Sequence, residues 1–347
     1  MSCGVLGHHG EAVESMYLGI DFGTSGARAI ALHRDRTILA EVSRTFEAIA
    51  PAQRPTVWQL TLFELIQQIP ADVRSHLRRI AVNGTSATVL LCNRQGQPIC
   101  PPLMYNHACD QAIVGQVRAI APSGHPVTSA SASLAKLLQW HQQGLTQPDY
   151  YFLHQADWLA WLLHGKLGWS DYHNSLKLGY DPALGRYPNW FEHPRLQPLQ
   201  PLLPQVVAPG TVLGTVAGAI AQSLAIPSNC QICAGTTDSI AAFLASGASQ
   251  PGDAVTSLGS TLVIKLLSPT RVDNADYGIY SHRLGNLWLA GGASNTGGAV
   301  LKQYFTAAEL VELSDRIDPQ QPSPLDYYPL LKPGERFPLN DPHLTPQ

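Results

Sequence analysis

Short apolar runs bounded by glycine and small polar residues open the chain. Met16 to Ile20 is one such run, ending in Asp21-Phe22-Gly23-Thr24-Ser25-Gly26, and a second, Ala27 to Leu32, follows at once. The pattern predicts strand, glycine-rich turn, strand, because so short a connection suits only a hairpin. Further strands are expected at Glu41 to Phe46 and Arg79 to Asn83, with a helix from about Val57 to Gln68 between them.

Helical spacing of apolar residues returns at Ser133 to Gln143 and at His154 to Leu163, the latter closed by Gly165. Prolines and bulky residues then fill Asp181 to Pro209 and predict irregular surface structure. Small residues take over near Gly210, which puts a domain boundary between there and Gly235. The division expected is a first domain over 16–220 and a second over 221–347, with 1–15 as a disordered lead-in. The second part repeats the opening: strand Asp253 to Ser257, turn Leu258-Gly259-Ser260-Thr261, strand Leu262 to Leu267. Two hydroxyl-rich hairpin turns in similar settings suggest an α/β pair of duplicated domains facing a cleft.

The 347 residues suffice for two cores, and 45% hydrophobic against 14% charged residues reads as globular. With 22 Lys plus Arg against 25 Asp plus Glu the net charge is -3, and without a basic run nucleic acid is not an expected partner. No run nears the roughly 18 apolar residues of a membrane helix, so no membrane partner is expected. Met1 to Ser15 lacks Lys and Arg and does not read as a secretory signal. Six scattered cysteines fit reduced thiols and a cytoplasmic location. Cys230-Gln231-Ile232-Cys233 has ligand spacing, but no second such pair completes a metal site, and the surrounding apolar run reads as a strand.

Four segments carry candidate chemistry. Asp21 to Gly26 offers backbone N–H groups that an anion can approach closely, hydroxyls at Thr24 and Ser25, and a carboxylate suited to Mg²⁺ at Asp21; a plain hairpin turn is the alternative. Gly235-Thr236-Thr237-Asp238-Ser239 joins an apolar strand to a helical run, where an acid also suits helix capping. Leu258 to Thr261 is a second glycine–hydroxyl turn. Gly291-Gly292-Ala293-Ser294-Asn295-Thr296-Gly297-Gly298 precedes a helical run, Ala299 to Phe305, as in strand–loop–helix ligand sites.

Ile20 to Ser25, Gly235 to Asp238, Leu258 to Thr261 and Gly291 to Gly298 resemble, in order, the motifs of the FGGY carbohydrate kinases, relatives of actin, hexokinase and the Hsp70 chaperones. The resemblance runs from Tyr17 to about Phe305. More narrowly, the chain is similar to cyanobacterial and plant xylulokinase-like proteins associated with D-ribulose phosphorylation. The resemblance implies two actin-like ATPase (ribonuclease H-like) domains, with sugar bound to the first and ATP to the second. It implies ATP and Mg²⁺, with Asp238 as the general base, in contact with substrate. Asp21 would hold metal and substrate, and Gly23, Thr24 and Ser25 would form the first phosphate loop. Gly259, Ser260 and Thr261 would form the second, with Gly297 and Gly298 against the adenosine.

Asn83-Gly84-Thr85-Ser86-Ala87 is similar to the family's sugar-contacting segment and assigns that contact to Ser86. Asp157 is a further possible contact. Two departures stand out. Where many family members carry Trp-Asn-Asp-x-Arg, this chain reads Tyr105-Asn106-His107-Ala108-Cys109, so the acid and arginine that fix sugar hydroxyls are replaced. Family members also continue past Gln347, so an incomplete ATP-binding domain is expected. The function implied is phosphorylation of the terminal hydroxyl of a ketopentose, D-ribulose before D-xylulose, by a monomer or homodimer. A sugar-binding pseudokinase and an actin-like assembling protein are the alternatives.

Overall fold

The computed structural model describes residues 15–259, 261–274 and 276–346. The chain divides into two compact units that alternate along the sequence. The first gathers Met1–Tyr105, Leu145–Asn174 and Leu199–Asp238; the second gathers Asn106–Gly144, Ser175–Pro198 and Ser239–Gln347. Compactness thus follows tertiary contact rather than chain order, and position 220 falls inside the first unit.

The first unit is built on a six-stranded sheet. Strands β1 (Met16–Phe22), β2 (Gly26–His33) and β3 (Ile38–Thr45) form an antiparallel meander. On its other side β1 pairs in parallel with β4 (Leu77–Gly84), which pairs in parallel with the strand Gln231–Cys233. The antiparallel strand Val212–Thr215 closes the far edge.

In β1 the period of two buries Met16, Leu18, Ile20 and Phe22 and turns Asp21 to the opposite face. The helix Arg54–Gln68 covers one face. It begins earlier than the apolar pattern indicated because Pro55 fits the first turn, where its missing N–H is not needed. Trp58, Thr61, Leu62, Leu65 and Ile66 recur at three- and four-residue spacing and are buried, each large apolar side chain contributing about 2 kcal/mol. The helix Gln155–His164 packs Trp158, Leu159 and Leu163 into the same core. A reciprocal cap between His154 and Asp157 starts it and left-handed Gly165, at φ 75, ends it.

The second unit holds a four-stranded antiparallel sheet, in the order Ala254–Leu258, Leu262–Ser268, Leu287–Ser294, Tyr280–Leu284. Its core cluster joins Ile240 and Phe243 of the helix Asp238–Ala245 to Leu267 and Leu289 of the sheet. Arg271 ties a neighbouring segment down by ion pairs to Asp181 (3.2 Å) and Asp273 (2.6 Å) and lies 5.4 Å over the Trp288 ring. Cys230 and Cys233 are both buried. No grouping of three or more His, Cys, Asp or Glu suited to a metal ion occurs among the described residues. Among the described residues, no helix is long and apolar enough to cross a membrane. The lead-in, apart from Ser15, lies outside the described residues, as does Ser260 of the second hairpin turn.

Candidate active site

Three neighbouring parallel strands of the first unit, β1, β4 and Gln231–Cys233, bring their carboxyl ends to one edge of the sheet. Ligands of open α/β sheets sit at that edge, because the chain leaves the strands there and exposes its loops. Asp21 is the cross-strand partner of Asn83, and Gly84 bridges to Thr237, one residue before Asp238. Asn83 reaches across as well: its Oδ1 accepts the Thr236 N–H at 3.2 Å. Gly235 fits because a Cβ there would overlap the Val82 carbonyl. Glycine is therefore required for the turn to lie flat on β4.

Asp21 is half-buried. Burial pushes its carboxyl above the usual carboxylate range, the Asp238 charge pushes it further, and Arg28, its partner across the hairpin, acts against both. The sequence-derived pair Asp21 and Asp238 is thus brought within electrostatic reach of one another. Thr24 and Ser25 are exposed at the hairpin tip. The tip is closed by Gly23 N–H to the Gly26 carbonyl (2.9 Å) and braced by Phe46 N–H to the Ser25 carbonyl (2.8 Å).

Beyond β4 the chain turns sharply through Thr85 and Ser86. Thr85 N–H donates to Gln155 Oε1 at 3.0 Å. Ala87 sits at φ 63, a left-handed conformation rare for a residue with a side chain, and is buried. Ser86 is half-buried within that turn. Asp157, by contrast, is engaged locally: its Oδ2 accepts the His154 N–H at 2.9 Å and lies 2.9 Å from His154 Nδ1.

A polar network that the sequence pattern did not disclose backs the Asp238 turn. Thr236 Oγ1 lies 2.7 Å from His173 Nδ1, and both residues are buried. Asp171 in turn accepts the His173 N–H (2.8 Å), the Asn174 N–H (3.1 Å) and the Asn174 side-chain amide (2.6 Å). Burial first, then the Asp157 charge, lifts the Asp171 carboxyl to about 6 despite those hydrogen bonds. The Asp-Tyr-His-Asn run at 171–174 was the available signal, since such residues favour side-chain-to-backbone turns.

In the second unit the glycine motifs meet. Gly298 N–H donates to the Gly259 carbonyl at 2.8 Å, and Leu262 N–H to the Thr296 carbonyl at 2.7 Å. A Cβ on Gly298 would come within 2.9 Å of the Gly259 oxygen. Gly259, Thr261, Gly297 and Gly298 therefore form one backbone-rich patch. Glu335, from the proline-rich tail, supports it: Ser294 Oγ donates at 2.5 Å and Asn295 N–H at 2.8 Å. Burial pushes the Glu335 carboxyl up, but hydrogen bonds from Ser294, Asn295, Arg336 and Tyr328 prevail and hold it at about 2.

No family model matches the chain. Solved structures do. A protein from Brucella ovis described as a xyloylose kinase superposes with a TM-score of 0.80 at 18% identity, over 95% of this chain and 72% of that one. Xylulose kinase from Rhodospirillum rubrum gives 0.74 at 22%, over 88% and 67%. Plasmodium falciparum glycerol kinase with ADP gives 0.72 at 14%, again over 88% and 67%. The chain has the mixed α/β, two-domain fold of these sugar kinases, the actin-like ATPase fold. It spans about two thirds of the length of the Rhodospirillum rubrum and Plasmodium falciparum kinases.

Proposed function

We propose that the chain is an ATP-dependent carbohydrate kinase acting on the terminal hydroxyl of a ketopentose, D-ribulose in preference to D-xylulose. The observation carrying this reading is the pair Asp21 and Asp238, electrostatically coupled at the carboxyl ends of strands that flank β4. Phosphoryl transfer requires one group to orient the attacking hydroxyl and take its proton, while positioning and charge neutralisation do the rest. Asp238 is the base in this proposal, and Asn83, through Thr236, steadies the turn that carries it.

A carboxylate whose ionisation is opposed by burial and by a second carboxylate is relieved by a divalent cation. Magnesium takes one or two carboxylates together with water and phosphate oxygens, so the donor set at Asp21 fits it. When bound, Mg²⁺ supplies neutralisation of phosphate charge. Gly23, Thr24 and Ser25 would offer N–H and hydroxyl donors to one phosphate, and Gly259, Ser260 and Thr261 to another. Gly297 and Gly298 would let adenosine lie against the backbone. The division of labour proposed is sugar on residues 16–220 and nucleotide on 221–347.

Ser86 would touch the sugar. The preference for ribulose rests on the Tyr105 to Cys109 segment, which lacks an acid and an arginine. The names of the neighbours, xylulose, gluconate and glycerol kinases, support the reaction class. Coupled ADP release with a panel of ketopentoses and polyols tests it. Turnover with D-ribulose exceeding D-xylulose is expected; no sugar-dependent release with any member refutes kinase activity. Calorimetric sugar binding without Mg-ATP binding would favour a pseudokinase instead.

A further inference from the structure

The second unit contains a cavity of about 550 Å³ whose wall collects four cations, Arg118, Lys177, Lys265 and Arg336. No carboxylate occurs among the described residues lining it. In a chain of net charge -3 this concentration is the reverse of the average surface. Like charges around one concavity repel, and the arrangement is relieved by an anion of matching size.

Three of the four cations are held in place. Arg118 Nε donates to the Thr128 carbonyl at 3.3 Å and Arg336 Nε to the Ala293 carbonyl at 2.7 Å, and both acceptor residues line the cavity. Fixing Nε sets the plane of each guanidinium, whose terminal nitrogens form the fork that meets phosphate bidentately. Lys265 Nζ donates to the Ser239 carbonyl and so stays at the wall. Behind Lys177 stands fully buried Lys136, whose ammonium is brought down to about 7 by burial and, in smaller part, by the Lys177 charge. His125 adds no charge at neutral pH, because burial first, and then Arg271, lowers it to about 4. It serves as a hydrogen-bonding group beside the hydroxyls of Ser129 and Ser131.

We propose that this cavity binds a small organic phosphate, a phosphorylated sugar or polyol. The volume lies in the range of small-molecule sites and exceeds what a lone phosphate ion fills. Cationic forks suit the phosphate, and hydroxyl and imidazole groups suit the polyol body. Val263, Ile279 and Leu289 give it an apolar wall. The wall includes neither Asp21 nor Asp238, but Ser239, next to the proposed base, and Gly291 to Ala293, of the glycine motif assigned to the nucleotide, line it, so the inference rests in part on the kinase reading. The occupant is either the product of that reaction or a phosphorylated effector.

Titration calorimetry on the full chain tests it, with ribose 5-phosphate, free ribose and inorganic phosphate as probes at low and moderate salt. Ribose 5-phosphate is expected to bind more tightly than inorganic phosphate, and to weaken as salt rises. Arg118→Gln and Lys177→Gln should each weaken it about tenfold, the loss of one charge-assisted contact. Arg118→Lys, which keeps the charge, should bind more tightly than Arg118→Gln and guards against a folding artefact. Asp238→Asn should leave this binding intact even if it abolishes turnover. Absence of phosphate-dependent heat at low salt would overturn the proposal. So would binding that survives both glutamine substitutions, or binding lost in Asp238→Asn.

Discussion

Asp171 offers a quantitative test of the network behind the proposed base. Its carboxyl is 1% exposed and is raised from 3.8 to about 6, chiefly by burial. A raised acid holds its proton in the folded state over a window where the unfolded chain has released it. Folding stability therefore falls as pH rises from about 3.8 to about 6, and the loss persists above that window. At about 1.4 kcal/mol per tenfold change in proton affinity, the step amounts to about 3 kcal/mol at neutral pH.

Asp171→Asn removes this charge while keeping an oxygen for the His173 and Asn174 N–H groups. Its new amide can face Asn174 Oδ1, a buried oxygen with no partner among the described residues. Urea unfolding at steps between pH 4 and 7 should show the variant gaining on the native chain by about 3 kcal/mol across that range. A difference that stays constant with pH would refute the reasoning. A variant less stable throughout would show that the carboxylate's hydrogen bonds outweigh its desolvation.

Two further outcomes follow from the same physics. Lys136, fully buried and lowered from 10.5 to about 7 by burial above all, makes stability rise with pH across that interval, since only the unfolded chain keeps the proton there. Lys136→Met should flatten that rise by about 2 to 5 kcal/mol in denaturant melts at pH 7 and 9.5, and an unchanged slope would count against it. Gly235→Ala should destabilise by about 3 kcal/mol, because its Cβ meets the Val82 backbone, which cannot rotate away. A native unfolding midpoint in that variant would contradict the close approach of the two strands.

Much of the fold was legible because its elements announce themselves locally. The β1–β2 hairpin, β4, the helices Arg54–Gln68, Ser133–Gln142 and Gln155–His164, and the paired strands Ala254–Leu258 and Leu262–Ser268 follow their apolar periods within a few residues. The helix Gln111–Ile120 lies outside the elements expected from the sequence, although Ile113, Val114 and Val117 form an apolar stripe at helical spacing. The grouping of 106–144 and 175–198 with the last part of the chain has no local signature, since it depends on long-range contacts such as Arg271 with Asp181. At the candidate site, Asp21 and Asp238 were visible as acids at strand and helix ends. Asn83, His173 and Glu335 were not, because each acts through a partner distant in sequence. A lone Asn, His or Glu carries no periodicity to mark it.

The most direct measurement of the central claim is sugar-dependent ADP release by Asp238→Asn, with its melting curve and sugar affinity recorded alongside. Loss of turnover by about a hundredfold or more, with fold and sugar binding retained, is the predicted result for a missing general base. Turnover equal to that of the native chain would contradict it.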